Sequence, residues 1–391
     1  MRAAKSGPDY IDPQFHAAAT GQTCVNLDAW AMSPSRIRSL AAGSGPLLIE
    51  GAMGLFDGAP PDGKGATAEL ARLLNVPVVL IIDAASMAHS IAPLVEGFAR
   101  HDTSVRIAGV ILNRVGSPRH LEMLKSALCK LNLPVLGAVM RQAALARPSR
   151  HLGLVQAGEV PDLEAFLETA ADVVENDVDI NALLSLAQPL PVSSDGLAAA
   201  NDLSNTRIAI ARDIAFAFAY PHQISGWQLQ GAQVSYFSPL ADNPVPHADL
   251  VFLPGGYPEL YAARIASAHT FMESLRNASE RSDIYGECGG YMVLGETLTD
   301  ADGMVHTMAG LLSLDTSFQT PKLHLGYRNL QSVAGHFAGS FKGHEFHYAT
   351  TLRAEGTPLF TASDATGAAL APMGLVRGRV SGSFAHVIDA A

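Results

Sequence analysis

Residues 283–292 have the sequence DIYGECGGYM, in which a strand-like segment runs into a cysteine between glycines and then into a helix-compatible segment. This layout is that of a nucleophile elbow, with G-x-C-x-G in place of G-x-S-x-G. Glycine permits the sharp turn that lifts a side chain above a sheet, and the helix N-terminus behind it favours a thiolate. We therefore predict that Cys288 is a catalytic nucleophile; an inert core thiol is the alternative.

A second segment indicates the same chemistry. Residues 249–259, DLVFLPGGYPE, have the pattern of a buried strand that ends in a Gly-Gly turn. Such a turn can present backbone N–H groups to a reacting carbonyl oxygen. Followed by the cysteine elbow, it resembles the class I glutamine amidotransferase domain, in which these two elements supply the oxyanion hole and the nucleophile. The resemblance implies that amides near Gly256 and Gly289 bind the oxyanion and the glutamine.

The general base is expected on a late loop of such a domain. His386, at the end of GSFAH, is the best candidate because its lead-in and its distance from the cysteine match that family. The His-x-x-His cluster GHEFHY at 343–348 is a rival, with a structural or channel-lining role as its alternative. The usual His-x-Glu pattern is absent, since Ile388 takes the position of the Glu. The third member of a triad is left undetermined, and a Cys-His dyad is the alternative.

Composition indicates a soluble two-domain enzyme. The chain has 391 residues, 48% hydrophobic and 16% charged, which predicts two globular domains with large cores. Its three cysteines, Cys24, Cys129 and Cys288, form neither a disulfide framework nor a zinc pattern, which favours a reducing cytoplasm. No signal peptide and no apolar run of about 20 residues is present, so no membrane contact is expected.

The charge of the chain limits its partners. A formal net charge of −11 argues against nucleic acid as a partner. It also means that an anionic substrate requires a local basic pocket. We expect only small molecules as ligands, and the oligomeric state stays open between a monomer and a homodimer.

The order of apolar runs predicts two α/β domains. Continuous apolar runs suit buried parallel strands, and helix-compatible segments lie between them. The predicted strands are 46–50, 76–83, 107–113 and 134–137, with helices at 86–100 and 119–131. This alternation predicts a doubly wound, mostly parallel sheet at 1–186. A segment at 187–205, rich in Pro, Ser, Asn and Asp, is predicted to be a linker, and a strand at 207–211 opens the second domain at 206–391.

The first domain carries candidate phosphate and metal chemistry. Glu50 ends a predicted strand and is followed by the Gly-rich loop 51–58, where a carboxylate can hold Mg²⁺ while amides approach phosphates. An ordinary βα turn is the alternative. Asn113 follows another strand and either contacts a nucleobase or caps a helix. Residues 5–16, KSGPDYIDPQFH, combine a cation with carboxylates, and a surface turn is their alternative.

Together these segments resemble the cobyrinic or hydrogenobyrinic acid a,c-diamide synthases of the corrin pathway. The ordered set of segments covers essentially the whole chain. The segments that carry the resemblance are 5–13, 50–58, 112–117, 150–154, 254–260, 287–290, 325–328 and 343–348. The family has an amino-terminal P-loop-NTPase fold, similar to dethiobiotin synthetase, followed by a class I glutamine amidotransferase domain.

The resemblance implies a carbon–nitrogen ligase that uses glutamine as the amide donor. Cys288 would attack the glutamine carboxamide, with His386 as base. The ammonia would pass to the first domain, where ATP and Mg²⁺ activate the a- and c-acetate carboxylates of a corrin as acyl phosphates. The implied roles in that domain are Mg²⁺ binding for Glu50, adenine binding for Asn113, and contact with metal or substrate for Asp9, Tyr10 and Asp12.

One departure from the family concerns the P-loop. Members begin with a strand and G-x-x-x-x-G-K-[ST] before the K-x-G-P-D-Y segment, whereas here Met1 lies four residues before Lys5. The loop GAPPDGKG at 58–65 has Gly65 where Ser or Thr would bind Mg²⁺, and its Pro pair removes amides. We therefore expect poor ATP binding, exposed sheet edges and a less stable first domain.

The same departure leaves two other functions open. One is a truncated paralogue with glutaminase activity only, and the other is a non-catalytic subunit. The sequence does not distinguish a cobalt-containing corrin from a cobalt-free one or from a nickel tetrapyrrole.

Overall fold

Strands and helices alternate through the amino-terminal half of the computed structural model, which describes residues 1–146, 149–150, 153–191, 203–335 and 338–391. The mixed α/β prediction is confirmed. The strands of this half are Arg2–Ser6 (β1), Val25–Leu27 (β2), Leu47–Glu50 (β3), Val78–Asp83 (β4), Ile107–Val115 (β5), Val135–Met140 (β6), Ser149–Arg150 (β7) and Gly153–Leu154 (β8). Its helices are Asp12–Thr20 (α1), Pro34–Ala41 (α2), Thr67–Leu74 (α3), Ile91–His101 (α4), Pro118–Leu128 (α5), Leu163–Asp177 (α6) and Ile180–Ser185 (α7).

The parallel sheet of this half is divided into two. One part has the strand order β2-β1-β3 and the other β4-β5-β6. Among the described residues, β3 pairs only with β1 and β4 only with β5, so each leaves one edge unpaired. Apolar side chains stay exposed there: Leu48 of β3 is 50% and Ile81 of β4 is 68% accessible. The expected open edges are therefore present.

Residues 5–16 do not form a surface turn. Lys5 and Ser6 belong to β1, which is the central strand of its sheet, and Lys5 is only 4% exposed. The loop that follows leads into α1, where Asp9 Oδ1 accepts hydrogen bonds from the backbone N–H groups of Ile11 (2.7 Å) and Asp12 (3.2 Å). This Asx turn at Asp9 fixes the backbone that leads into the helix, whose N-cap residue, Ile11, has no side-chain cap.

The carboxyl-terminal half is built on a six-stranded sheet. The strands of this half, of which six form that sheet, are Arg207–Ala211 (β9), Gln233–Phe237 (β10), Leu250–Leu253 (β11), Asp283–Glu287 (β12), Thr297–Thr299 (β13), Val305–Thr307 (β14), Ser313–Ser317 (β15), His324–Ser332 (β16), Ser340–His347 (β17), Thr350–Glu355 (β18), Phe360–Asp364 (β19), Leu375–Arg377 (β20), Val380–Ser383 (β21) and His386–Ala390 (β22). Its helices are Pro221–Leu229 (α8), Ala262–Ala266 (α9), His269–Ala278 (α10) and Gly289–Leu294 (α11).

Strand order brings three loops to one edge of that sheet. The order is β10-β9-β11-β12-β21-β20, and β12 runs parallel to both β11 and β21. The carboxyl ends of these three strands are therefore neighbours, which is where α/β sheets carry their ligand sites. Two further four-stranded sheets, β14-β13-β15-β18 and β19-β16-β17-β22, complete this half.

The two halves pack through aromatic and polar contacts. Trp30 stacks on Tyr327 with ring centroids 4.4 Å apart, and Tyr10 stacks on Tyr220 at the same distance. The Tyr327 hydroxyl donates to the buried Asp28 carboxylate at 3.0 Å. Most of the predicted linker, residues 192–202, lies outside the described residues, as do residues 151 and 152 of the family-like segment 150–154.

We expect the sheet β4-β5-β6 to unfold independently of the carboxyl-terminal half. Leu112 is fully buried in the core of that sheet, so Leu112→Ala should cost about 2–5 kcal/mol, the usual loss for such a cavity. Hydrogen exchange at β5 should accelerate, while urea unfolding followed by Trp227 fluorescence in a Trp30→Phe background stays unchanged. Leu94→Ala, at a partly exposed site, is the control. Parallel loss of both signals would contradict the independence.

Candidate active site

Cys288 occupies the predicted sharp turn. It links β12 to α11 with φ 45° and ψ −102°, a conformation that is strained for a residue with a side chain. The side chain is only 3% exposed. A strained, buried cysteine at this edge of the sheet has the geometry of a nucleophile elbow.

Glycines allow the backbone to approach closely around this cysteine. A β-carbon on Gly290 would lie 1.9 Å from the Leu253 carbonyl oxygen, so only glycine fits there. A β-carbon on Gly255 would lie 2.3 Å from Cε1 of His386 and 3.3 Å from Cβ of Cys288. The side chains of Cys288 and His386, which are predicted to act together, therefore both lie beside Gly255.

The two residues predicted to bind the oxyanion are also neighbours. The amide nitrogen of Gly256 lies 3.1 Å from the position that a β-carbon on Gly289 would take. The Gly289 N–H group also interacts with the Cys288 thiol. Two amides beside one thiol can stabilise the charge that develops on a carbonyl oxygen under attack.

Both catalytic candidates are uncharged in this structure. Burial raises the pKa of the Cys288 thiol well above its usual range. Burial also lowers the pKa of His386 to about 3, and the nearby His347 adds to this effect. At neutral pH the pair is therefore a neutral thiol beside a neutral imidazole.

His386 begins strand β22 rather than standing on a loop, and a carboxyl group that sequence reasoning missed lies beside it. Glu287 Oε2 is 3.6 Å from His386 Nδ1, just beyond a hydrogen bond, and both side chains are 2% exposed. Glu287 Oε1 accepts a hydrogen bond from the backbone N–H of Val387 at 3.0 Å. Burial raises the pKa of Glu287 to about 8. The only sequence signal was an acidic residue at the end of an otherwise buried strand.

The rival histidines form a second group next to His386. The His344 ring lies 5.5 Å from the His386 ring, and His347 stacks on Phe384 at 4.0 Å. Glu345 accepts a hydrogen bond from Arg328 at 2.7 Å and lies 3.3 Å from His347 Nε2. A cavity of about 260 Å³ opens here. In the described part of the chain, no three or more His, Cys, Asp or Glu side chains are arranged to hold a metal ion by themselves.

Carboxylates of the amino-terminal half meet at Lys5. Its ammonium group lies 2.7 Å from Asp12, 3.3 Å from Glu50 and 4.0 Å from Asp9, and His16 pairs with Glu50. Burial and the neighbouring Asp12 raise the pKa of Asp9 to about 6. The structure thus brings together three of the residues that were predicted to bind metal or substrate. We call Lys5, Asp9, Asp12 and Glu50 the Lys5 cluster.

Asn113 is not part of the Lys5 cluster. Its Oδ1 accepts a hydrogen bond from the N–H of Arg114 at 2.8 Å, and Arg114 pairs with Asp83 at 2.7 Å. These contacts place Asn113 beside the end of β4. Its predicted contact with adenine stays a prediction.

The loop 58–65 is unsuited to phosphate, as the sequence predicted. Its amides are already used: the N–H of Ala59 donates to the Lys64 carbonyl at 2.8 Å and that of Gly65 to the Glu69 carboxylate at 2.7 Å. Amides with internal partners cannot line an anion site.

Tyr10 connects the two groups of residues. It follows Asp9 of the Lys5 cluster, and its ring lies 5.0 Å from the ring of His386.

Among the described residues, no helix is long and apolar enough to cross a membrane.

Two family models match the chain. Residues 207–391 match the CobB/CobQ-like glutamine amidotransferase domain, and residues 9–149 match an AAA domain. The first match contains the elbow, Gly255 and His386, and the second contains most of the Lys5 cluster.

Curated relatives match over the whole chain. A protein of Brucella anthropi named hydrogenobyrinate a,c-diamide synthase is 53% identical, with 100% of this chain and 91% of the relative covered. Proteins with the same name from Brucella abortus biovar 1 (54% identical, 100% and 91% covered) and Rhodobacter capsulatus (51%, 98% and 90%) are similar. On this likeness, the chain belongs to the hydrogenobyrinate a,c-diamide synthase family.

Proposed function

We propose that this chain is a carbon–nitrogen ligase that converts the a- and c-carboxylates of hydrogenobyrinate to amides, with glutamine as the nitrogen donor and ATP as the activator. The observation that carries the proposal is that Cys288, His386 and Gly255 lie together. The chain that places them so is 53% identical to a relative named hydrogenobyrinate a,c-diamide synthase. The name of these relatives favours the cobalt-free corrin over its cobalt-containing counterpart.

In the glutaminase reaction, His386 takes the Cys288 thiol proton as the thiolate attacks the carboxamide carbon of glutamine. Amides near Gly256 and Gly289 hold the oxyanion. His386 then returns the proton to the leaving nitrogen, which departs as ammonia and leaves a thioester on the cysteine. Water hydrolyses the thioester, which releases glutamate and restores the thiol.

Glu287 supports this role of His386. Its carboxyl oxygen faces the imidazole Nδ1 at 3.6 Å, so a small movement converts the contact into a hydrogen bond. Such a bond orients a catalytic imidazole, and it stabilises the protonated imidazole once Glu287, which burial keeps protonated at neutral pH, has ionised. We propose Glu287 as the third member of the site, supplied by the residue before the nucleophile.

In the amino-terminal half, the Lys5 cluster supplies the polar surface for activation of the substrate. The AAA match supports a nucleotide in this half. The Lys5 cluster holds three carboxylates and one ammonium group, so its excess negative charge favours a cation such as Mg²⁺ between the cluster and a phosphate or a polycarboxylate. Transfer of a phosphoryl group from ATP to a carboxylate gives an acyl phosphate, from which ammonia displaces phosphate.

Magnesium is part of this proposal. Carboxylates of the Lys5 cluster are the hard oxygen donors that Mg²⁺ prefers, and Glu50 is the most accessible of them, at 44%. Mg²⁺ bound with the nucleotide would neutralise phosphate charge. We further propose that the ligands are small molecules only, that the enzyme acts in the cytoplasm, and that it is a monomer or a homodimer.

Cys288→Ser should abolish amide formation from glutamine and leave amide formation from ammonium chloride, because only the thiol generates ammonia. The assay measures hydrogenobyrinate a,c-diamide with each nitrogen source in the presence of Mg·ATP. Cys129→Ser, at an exposed cysteine, is the matched control. Glutamine hydrolysis by the Cys288→Ser protein would remove this residue from the mechanism.

His386→Ala should lower the glutaminase kcat by about 10²-fold or more, the usual contribution of a general base. His344→Ala and His347→Ala should lower it less, since neither residue is the proposed proton acceptor and His347 already contacts Glu345 and Phe384. Glutamate release under saturating glutamine measures all three. An inactive His347→Ala protein beside an active His386→Ala protein would reverse the assignment.

Glu287→Gln should change how stability depends on pH. The pKa of Glu287 is raised from 4.5 to about 8 by burial, so its contribution is fully present below 4.5 and is lost as the pH rises toward 8. Glutamine does not titrate, so the variant should gain stability relative to the wild type between pH 5 and pH 8. Urea unfolding followed by Trp227 fluorescence measures the difference, and a difference independent of pH would contradict a buried, protonated Glu287.

A further inference from the structure

One aromatic residue of the amino-terminal half reaches into the glutaminase site. The Tyr10 ring stacks on Phe218 and Tyr220 at 5.1 and 4.4 Å, and lies 5.0 Å from His386 and 6.2 Å from His344. Its hydroxyl oxygen is buried. Tyr10 thus links the amino-terminal half, which holds the Lys5 cluster, to His386, the proposed general base.

The glutaminase site is closed in this position of Tyr10. Cys288 is 3% and His386 is 1% exposed. A glutamine carboxamide must touch both side chains to react. A group that covers them must therefore move before glutamine can be cleaved.

A cavity beside Tyr10 gives its ring a place to move. The cavity measures about 150 Å³ and lies between α1 and residues 217–221. Its lining includes Tyr10 itself with Pro13, Ala17 and Cys24. A cavity of this size accepts a six-membered aromatic ring, and its mixed lining, which includes Gln14 and Thr23, also suits a phenol hydroxyl.

We propose that Tyr10 is a cross-domain positioning residue for the glutaminase reaction. In the position seen here it covers His386 and holds the site closed, and it withdraws into the cavity beside Ala17 when glutamine binds. This inference rests on the proposed function, since it gives the other half of the chain control over the glutaminase chemistry.

The chain around Tyr10 ties this movement to the Lys5 cluster. Asp9, the preceding residue, belongs to that cluster and also accepts a hydrogen bond from the Ile11 N–H just before α1. Asn26 clamps the same loop by donating to the Gly7 and Asp9 carbonyls at 2.9 and 2.7 Å. A ligand that shifts the Asp9 backbone, for instance by breaking the Asn26 contact, therefore shifts Tyr10 as well, because one peptide bond joins the two residues.

The test measures alkylation of Cys288 by iodoacetamide, mapped by peptide mass spectrometry as a function of pH. Tyr10→Ala should accelerate the reaction at neutral pH by about fivefold or more, the lower end of typical coupling between sites. The pH of half-maximal rate should fall, since water replaces the ring. Tyr10→Phe keeps the ring and should match the wild type. The ionisable groups that face the site are Tyr220, Glu259, Tyr285, Glu287, Cys288, His344, Glu345, His347 and His386.

Filling the cavity should have the opposite effect. Ala17→Leu occupies the space for the ring and should slow both Cys288 alkylation and glutamine hydrolysis by about fivefold or more. Ala18→Leu, on the same helix but outside the cavity lining, is the matched control. In the Tyr10→Ala background, Ala17→Leu should have no further effect, because no ring is left to move.

Two results would overturn the inference. One is alkylation of Cys288 at the wild-type rate in Tyr10→Ala, and the other is equal slowing by Ala17→Leu with and without Tyr10. Alkylation of the exposed Cys129 corrects for reagent concentration between samples, and an unchanged circular dichroism spectrum shows that each variant is folded. If the wild type does not hydrolyse glutamine, the proposed function fails, whereas Cys288 alkylation still tests the position of Tyr10.

Discussion

The strained turn at Cys288 is the constraint on which the glutaminase site depends. The strained conformation of Cys288, with φ 45°, is maintained by the close packing around it. His386 lies so close to Gly255, and the Leu253 carbonyl so close to Gly290, that a side chain at either glycine would clash. Parallel pairing of β11, β12 and β21 brings these segments to one sheet edge. The same pairing sets Glu287 beside His386. The whole arrangement is buried, so its groups are neutral until a substrate enters.

The two halves divide the chemistry by environment. The carboxyl-terminal half places a thiol, an imidazole and a carboxyl group in an apolar surrounding, which suits generation of uncharged ammonia. The amino-terminal half gathers three carboxylates around one buried ammonium group, Lys5, which suits charged substrates. Asp9 and Tyr10 are consecutive residues, one in each environment. This adjacency is the physical reason to expect that the two reactions are coupled.

Much of this arrangement could be predicted from the sequence. The elbow, strand β9 and the alternating strands of the first half have strong local patterns, since glycine spacing and apolar runs express backbone requirements directly. The role of Glu287 could not be predicted, because it depends on β12 lying next to the start of β22, almost a hundred residues later. The division of the first sheet was likewise not visible in any one strand, although open edges were expected. Asn113 lies within β5, two residues before the end of that strand, and apart from the Lys5 cluster, so its predicted role is not tested by the fold.

Direct transfer of nitrogen between the two halves is the central claim, and isotope competition measures it most directly. The wild-type chain would be supplied with hydrogenobyrinate, Mg·ATP and amide-¹⁵N glutamine in a large excess of unlabelled ammonium at a pH where little free ammonia is present. The account predicts that the two new amide groups carry ¹⁵N with little dilution. Two results would contradict it: a ¹⁵N fraction in the new amides no higher than that of the ammonium in solution, or glutamine hydrolysis without any amide product.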